Sequence, residues 1–431
     1  LREVLKVYGF TNNEISNITK LVPHSEPNSI REFTDILGKK IDSMKLELVL
    51  GAVELLQDCP RHLGLHSGGM VLSELPLSHF TPIQISKNGV KVIQFDKDDL
   101  DCLGLIKLDV LGLRMLASIT EAEELINTHY RENISLNTIP YDDKKVYSYL
   151  QSGQSLGTFQ IESQGQMHLL ALHQPKCFKD IISQIALFRP GPLQGGMVHP
   201  YIRRRNGLES VSYDHPDLEP ILKDTYGIIL FQEQILEIAN RFAGMSLAEA
   251  DDFRSEMSKR RSQEKLSEMR NNFITGAAHK GIEESVAFNV FEKIANFVGY
   301  GFCRSHAAAF AKIVYQSVWL KLYFPAAYMA AIMQHHPGMY PLQTLEEEAK
   351  RLGVRILTPD INKSHVRYTL EIFDHKSPYI RKPLTSVIGI STNIAKRIVW
   401  TRIASNFASV EDIFSRTVLS RKAFFALGEA G

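Results

Sequence analysis

The stretch that most constrains the fold is Leu105-Ile106-Lys107-Leu108-Asp109-Val110-Leu111-Gly112-Leu113. Apolar side chains run through it, interrupted only by Lys107 and Asp109, and glycines (Gly104, Gly112) stand near its ends. A run this short and this apolar predicts a buried strand. On a strand, residues two apart share a face, so Lys107 and Asp109 point the same way. Buried charge without a partner is costly. Two readings stay open. Either the two side chains neutralise each other, or they meet an anionic substrate and a metal.

Composition bounds the rest. A length of 431 residues with 44% hydrophobic and 23% charged content describes an ordinary globular protein with a sizeable core. Lys plus Arg is 49 and Asp plus Glu is 48, a net charge of +1. Any nucleic-acid surface must therefore be a local patch. Cys59, Cys102, Cys177 and Cys303 are widely spaced with no CxxC pair, which argues against a zinc site and for a reducing, cytoplasmic setting. No apolar run approaches the roughly 18–20 residues of a membrane span, and no signal-peptide pattern opens the chain. Leu1 and Gly431 both read as cuts through a longer protein.

Four regions follow from changes of period. Residues 1–60 predict short helices at Glu14–Lys20, Ser29–Leu37 and Asp42–Leu56, with Ser29 and Glu32 as a capping box. Residues 61–113 predict a small sheet: Arg61–Gly69 is glycine-rich and basic, Met70–Leu72 and Val90–Phe95 read as strands, and Asn88-Gly89 reads as a turn. Asp96-Lys97-Asp98-Asp99 reads as a solvated turn in preference to a metal site. Residues 114–340 predict helices joined by Gly- and Pro-rich loops, the sharpest being Arg189-Pro190-Gly191-Pro192-Leu193-Gln194-Gly195-Gly196-Met197. Residues 341–431 predict a helix, two short strands (Val354–Leu357, Tyr368–Phe373) and a closing run of helices.

Three basic features stand out in the helical region: Tyr201-Ile202-Arg203-Arg204-Arg205, Lys259-Arg260-Arg261, and Gly299-Tyr300-Gly301-Phe302-Cys303-Arg304-Ser305-His306 at a helix start that Ser305 would cap. Arginines clamp phosphates and helix N-termini hold anions. Singly, each run reads as a solvated face. Together they favour a polyphosphate or nucleic-acid surface. Val387-Ile388-Gly389-Ile390-Ser391 before a helix has the shape of a helix-hairpin-helix turn, whose amides hold a DNA phosphate. Ser391 stands where the usual pattern has a second glycine, and an ordinary glycine turn is the competing reading.

Six stretches then occur in order: Gln94–Asp99, Leu105–Leu113, Gly157-Thr158-Phe159-Gln160-Ile161-Glu162-Ser163, Phe188–Met197, Tyr226–Gln234 and Gly299–Ala311. With these the chain closely resembles the bacterial C-family DNA polymerases, the polymerase III alpha subunit and its error-prone relatives. His66–Gly69, His336–Pro341 and Ser409–Asp412 resemble the error-prone branch. The resemblance implies an α+β, mostly helical fold: a thumb at 1–60, the second part of the palm at 61–113, a large fingers region at 114–340, and a tail with a helix-hairpin-helix-like segment at 341–431. It implies that Asp109 is a palm carboxylate holding two Mg²⁺ ions with two further carboxylates, and that Lys107 meets the nucleotide triphosphate. Arg189, Arg203 and Arg204, then Arg304 and His306, would hold nucleotide phosphates or DNA, and Gly389 a DNA phosphate. The implied partners are primer–template DNA, deoxynucleoside triphosphates, and a sliding clamp with other replisome or damage-tolerance subunits.

The family's other two catalytic carboxylates form a Pro-Asp-x-Asp pair, and no such run occurs here. The expectation is a polymerase whose 431-residue piece does not itself polymerise DNA. A rival reading is a non-catalytic DNA-binding or scaffold module derived from the polymerase. An unrelated nucleotide-binding protein has no Walker-type run in its favour.

Overall fold

The computed structural model describes residues 1–431 except 23–29, 58, 60–63, 87, 111, 131, 190–195, 258–262, 299–301, 374–377 and 431, and describes no side chain at 98, 263 and 296–298. Ser29 of the expected capping box, Arg61–Leu63, Leu111, the Pro190–Gly195 part of the sharp loop, Lys259–Arg261 and Gly299–Gly301 lie outside the described residues. The chain forms two compact units, Leu1–Gly112 and Leu113–Gly431. The fold is α+β and mostly helical.

The first unit opens with helices Arg2–Val7, Asn12–Thr19, Thr34–Gly38 and Ser43–Leu55. A reciprocal cap starts the second: the Thr11 hydroxyl accepts the Glu14 N–H, and Glu14 accepts the Thr11 N–H at 2.8 Å. Asp42 caps the fourth through the amides of Met44 and Lys45. Leu5, Ile15, Leu37, Val49 and Leu50 are fully buried in one cluster. Each such side chain contributes roughly 1.5–3 kcal/mol, which holds helices too short to persist alone.

Four short strands follow: β1 (Gly69–Leu72), β2 (Ile83–Ile85), β3 (Lys91–Ile93) and β4 (Ile106–Asp109). They make two separate antiparallel pairs, β1 with β4 and β2 with β3. Asn88-Gly89 forms the β2–β3 turn, with Gly89 at φ +76°, a conformation strained for a side chain. Two expectations change here. The Leu105–Leu113 run holds a strand of four residues, Ile106–Asp109, and it is not buried. Met70, Leu72, Ile106 and Leu108 are 52%, 48%, 60% and 43% exposed, because a two-stranded sheet has no second layer over that face. The acidic run is not a loop but the start of helix Lys97–Cys102: Asp96 accepts the Asp99 N–H at 3.0 Å and Asp99 accepts the Asp96 N–H at 3.1 Å.

The second unit is built around helices Arg304–Tyr323 and Pro325–His335, which pack on Phe178–Leu187 and Arg114–His129 respectively. Ile126, Val146, Leu150, Val314, Val318 and Ala327 lie fully buried in this core. A second cluster joins helices Gln232–Arg241, Leu247–Met257, Gln263–His279 and Glu284–Val298, with Phe242 and Phe273 stacked at 5.8 Å. Gly276 permits that approach, since a Cβ there would lie 2.1 Å from the Ala243 carbonyl oxygen. The C-terminal part adds β5 (Ile356–Leu357), β6 (Thr369–Glu371) and β7 (Tyr379–Arg381) in the order β5-β7-β6, then helices Thr392–Thr401, Val410–Arg416 and Arg421–Glu429. Sequence spacing does not predict β2, β7 or the helix Val198–Arg205; all are too short to show a period.

One buried polar chain crosses the second unit. Arg205 forks onto Asp180 at 2.8 and 2.7 Å, and also donates to the carbonyls of His173 and Gln174. Breaking a buried pair of this kind costs about 3–5 kcal/mol. His173 is fully buried, with Nδ1 hydrogen-bonded to Gln184 Oε1 at 2.8 Å and Nε2 without a partner. Burial first, then the nearby Arg205 charge, pushes its pKa down to about 4 from 6.5. The unfolded chain therefore takes up a proton before the folded one. Stability present above pH 6.5 is lost as the pH falls through this window towards 4, by about 3 kcal/mol in all. Urea unfolding between pH 7 and pH 4.5 should show this decline, and His173→Gln should flatten it. An undiminished slope in His173→Gln would place the acid sensitivity elsewhere.

Candidate active-site residues and nucleic-acid interface

The β1–β4 register sets Gly69 opposite Asp109 and Val71 opposite Lys107, so the two charged residues share one face. Lys107 Nζ donates to Asp109 Oδ1 at 2.6 Å. His66 Nδ1 lies 3.6 Å from the same oxygen and accepts the Gly68 N–H at 3.3 Å. The Lys107 hydrogen bond holds the Asp109 carboxyl below its usual range. Asp109 remains 46% exposed, so the carboxylate is paired yet open to solvent. Glycine at position 69 leaves room for both side chains: a Cβ there would sit 2.9 Å from His66 Nδ1 and 3.2 Å from Lys107 Cε, so one of them would have to shift. Neutralisation within the pair is thus realised. Among the described residues no group of three or more His, Cys, Asp or Glu stands ready for a metal ion. One carboxylate and one imidazole do not make a two-ion site by themselves.

In the second unit the expected basic residues divide by how they are engaged. Arg203 pairs with Glu209 at 3.3 Å on the surface. Arg204 is mostly covered, pairs with Glu209 at 2.9 Å and donates to the Tyr226 carbonyl at 3.1 Å. Arg304 reaches Asp224 at 3.4 Å and lies over the Phe231 ring. Asp224, also bound by Lys179 at 3.2 Å, is held below its usual pKa by Lys179 first and Arg304 second. Arg189 differs. Its guanidinium stacks 3.9 Å from the Phe302 ring centre and has no carboxylate partner among the described residues. Burial lowers its pKa. A stacked guanidinium keeps its edge N–H groups available for phosphate. The exposed His306 ring stands edge-on to Phe302 at 5.3 Å and 4.2 Å from Phe310, whose ring meets Phe159 at 5.1 Å. Arg189, Phe302, His306, Phe310 and Phe159 therefore form one continuous basic and aromatic strip.

The helix start expected to hold an anion is already occupied. The helix begins at Arg304, so Ser305 is not its cap, and the Arg304 N–H is bound by the Glu233 carboxylate at 2.8 and 3.0 Å. In the C-terminal part Gly389 adopts φ +98° and Ile388 is 93% exposed. Ser391, the departure from the usual glycine, caps the following helix through the Ile394 N–H at 3.3 Å. A 3₁₀ turn, Leu384–Ser386, precedes the Gly389 turn where a hairpin would have its first helix.

Family models of the bacterial DNA polymerase III alpha NTPase domain and of the bacterial DNA polymerase III alpha subunit finger domain match residues 1–112 and 115–281, and a helix-hairpin-helix motif matches 353–431. The chain belongs to the bacterial C-family DNA polymerases. An error-prone DNA polymerase of Anaeromyxobacter dehalogenans is 38% identical over 453 residues, which covers 100% of this chain and 40% of that protein. Error-prone DNA polymerases of Mycolicibacterium paratuberculosis and Symbiobacterium thermophilum are 40% and 37% identical, over 89% and 97% of this chain and 35% and 40% of theirs. The chain spans about two fifths of the length of the curated relatives it matches. No described helix is long and apolar enough to cross a membrane.

Sequence reasoning missed His66, Glu233 and Arg205 as structural neighbours of the candidate residues. Glu233 lies inside the Tyr226–Gln234 stretch that carries the resemblance, but its partner is 71 residues away, which no local pattern reveals. The Lys107 pairing is directly testable. Lys107→Ala should raise the Asp109 pKa back towards the ordinary carboxylate range, read by ¹³C NMR titration of the side-chain carboxyl. An unmoved Asp109 titration would show that the pair is not formed in solution.

Proposed function

We propose that this chain carries the second part of the palm, the fingers and a DNA-holding tail of a polymerase that adds deoxynucleotides to a primer under template direction. The observation that carries the reading is the ionised, solvent-open Asp109 held by Lys107 on one face of the β1–β4 sheet. In this reading residues 1–60 are the thumb, 61–113 the palm portion, 114–340 the fingers and 341–431 the tail. Asp109 supplies one of the carboxylates of a two-Mg²⁺ site whose other ligands are not among the described residues. Those ions, when bound, would align the primer hydroxyl and steady the charge on the transferred phosphorus.

This chain's own residues do the following. Lys107 holds Asp109 by a hydrogen bond that lowers its pKa, and offers its ammonium to an incoming triphosphate. Arg189, stacked on Phe302 and free of internal carboxylates among the described residues, is the best-placed guanidinium for phosphate. Arg203 and Arg304 reach phosphate only by leaving Glu209 and Asp224, and Arg204 supports the fold more than the substrate. His306 presents an exposed ring beside Phe302 and Phe310. The Gly389 turn offers amides to a DNA phosphate. Primer–template DNA and deoxynucleoside triphosphates are the substrates, a sliding clamp and other replication or damage-tolerance subunits are partners of the whole protein, and its setting is the cytoplasm.

Asp109→Asn in the full-length protein should lower primer extension by on the order of 100–1000-fold, with primer–template affinity changed less than about twofold. Retained extension would remove Asp109 from the chemistry. Lys107→Ala should raise the KM for nucleotide, and an unchanged KM would reject that contact. The 431-residue chain alone, which has no Pro-Asp-x-Asp run, should extend no primer with Mg²⁺ present, and extension by it would refute the need for further carboxylates.

A further inference from the structure

Among the described residues, four other than glycine have a left-handed backbone: Gln160, Gln174, Tyr226 and His336. Three of them end helical turns, where this conformation satisfies the last carbonyls. Gln160 ends no helix. At φ +61° it is the centre of a three-residue turn in which the Ile161 N–H donates to the Phe159 carbonyl at 2.8 Å. The left-handed form of this turn is rare and strained. Strain of this kind persists only where the surroundings enforce it, and it gathers at functional sites.

The surroundings do enforce it. The buried Ser155 hydroxyl donates to the Ile161 carbonyl, and the buried Thr158 hydroxyl to the Ser155 carbonyl. The Gly157 N–H donates to Glu162 at 3.1 Å, and the fully buried Tyr328 hydroxyl donates to the Gly157 carbonyl at 2.8 Å. These hydrogen bonds hold the loop in its shape. Gln160 is exposed, and its carboxamide has no hydrogen-bond partner among the described residues. The preceding Phe159 ring is the end of the strip that runs through Phe310 and His306 to Phe302 and Arg189.

We propose that Gln160 is a substrate-contacting residue whose carboxamide N–H donates to the minor-groove acceptors of duplex DNA lying along this strip. A neutral donor suits that edge. Every base pair shows purine N3 or pyrimidine O2 there, so one amide serves all sequences. A lysine or arginine would bind phosphate in preference, and an acid would be repelled. The inference rests on the DNA polymerase reading given above and adds a contact within it.

The test uses the full-length protein with Gln160→Ala and Gln160→Gly, on primer–templates with adenine or 3-deazaadenine, which lacks the N3 acceptor, placed singly through the duplex near the primer end. Gln160→Ala should slow extension about tenfold. At one position 3-deazaadenine should slow the wild type by a similar factor and Gln160→Ala no further. Gln160→Gly relaxes the left-handed turn, so it should melt no lower than the wild type yet extend as poorly as Gln160→Ala. Penalties that simply add at every position, or wild-type extension by Gln160→Gly, would overturn the proposal and leave the turn purely structural. Absence of extension by the wild type would instead sink the polymerase reading. In that case duplex binding by fluorescence anisotropy, with the same variants and probes, decides the Gln160 contact by the same two criteria.

Discussion

Lys321 has no exposed surface, and its ammonium lies 2.6 Å from Glu348 Oε1 while donating to the Leu156 carbonyl. Removing two charges from water costs several kcal/mol each, and the cost is offset only where geometry and further hydrogen bonds are good. Here Arg351 adds two contacts of 2.7 Å to Glu348. Burial raises the Glu348 pKa, but Arg351 and Lys321 outweigh it and the carboxyl stays below its usual range. The pair joins the Arg304–Tyr323 helix, the Leu342–Arg351 helix and the loop that begins at Ser155. It fixes the far end of the helix whose first turn carries Arg304 and His306. The loop carrying Gln160 and the helix carrying His306 thus share one buried anchor.

The first unit solves a different problem. Its packing lies in a small helical cluster, and its two strand pairs have little beneath them. One face of β1–β4 carries His66, Lys107 and Asp109, and the other carries Met70, Leu72, Ile106 and Leu108, all substantially exposed. The polar face is nevertheless ordered locally, because Gly69 lets the His66 and Lys107 side chains close on its backbone. Asp109 is thereby paired with a lysine two residues away on an exposed strand and still half open to solvent.

Much of this was legible in the residues. Period-two geometry placed Lys107 and Asp109 on one face, and the register shows them there. Helices of the second unit followed from apolar spacing, and the mostly helical α+β class followed from the resemblance. The charged partners were not legible. The Arg304 side chain with Asp224 and the Arg304 N–H with Glu233 are 80 and 71 residues apart, so an arginine reads alike whether it faces phosphate or a distant carboxylate. The acidic run at Asp96–Asp99 misled for the opposite reason, since Asp serves turns and helix caps equally well.

The sequence by itself determined the family, the class of fold and the one strand on which a lysine and an aspartate must stand together, because these depend on local order and spacing. Tertiary structure decided which charges are available. It committed Arg204 and Arg205 to the interior, put Glu233 on the helix start expected to bind an anion, left Arg189 stacked without an internal carboxylate among the described residues, and left Ile106, Leu108 and Val110 exposed. Exposure and pairing are properties of surfaces that meet only after folding. The physical worth of a charge depends on what those surfaces place beside it.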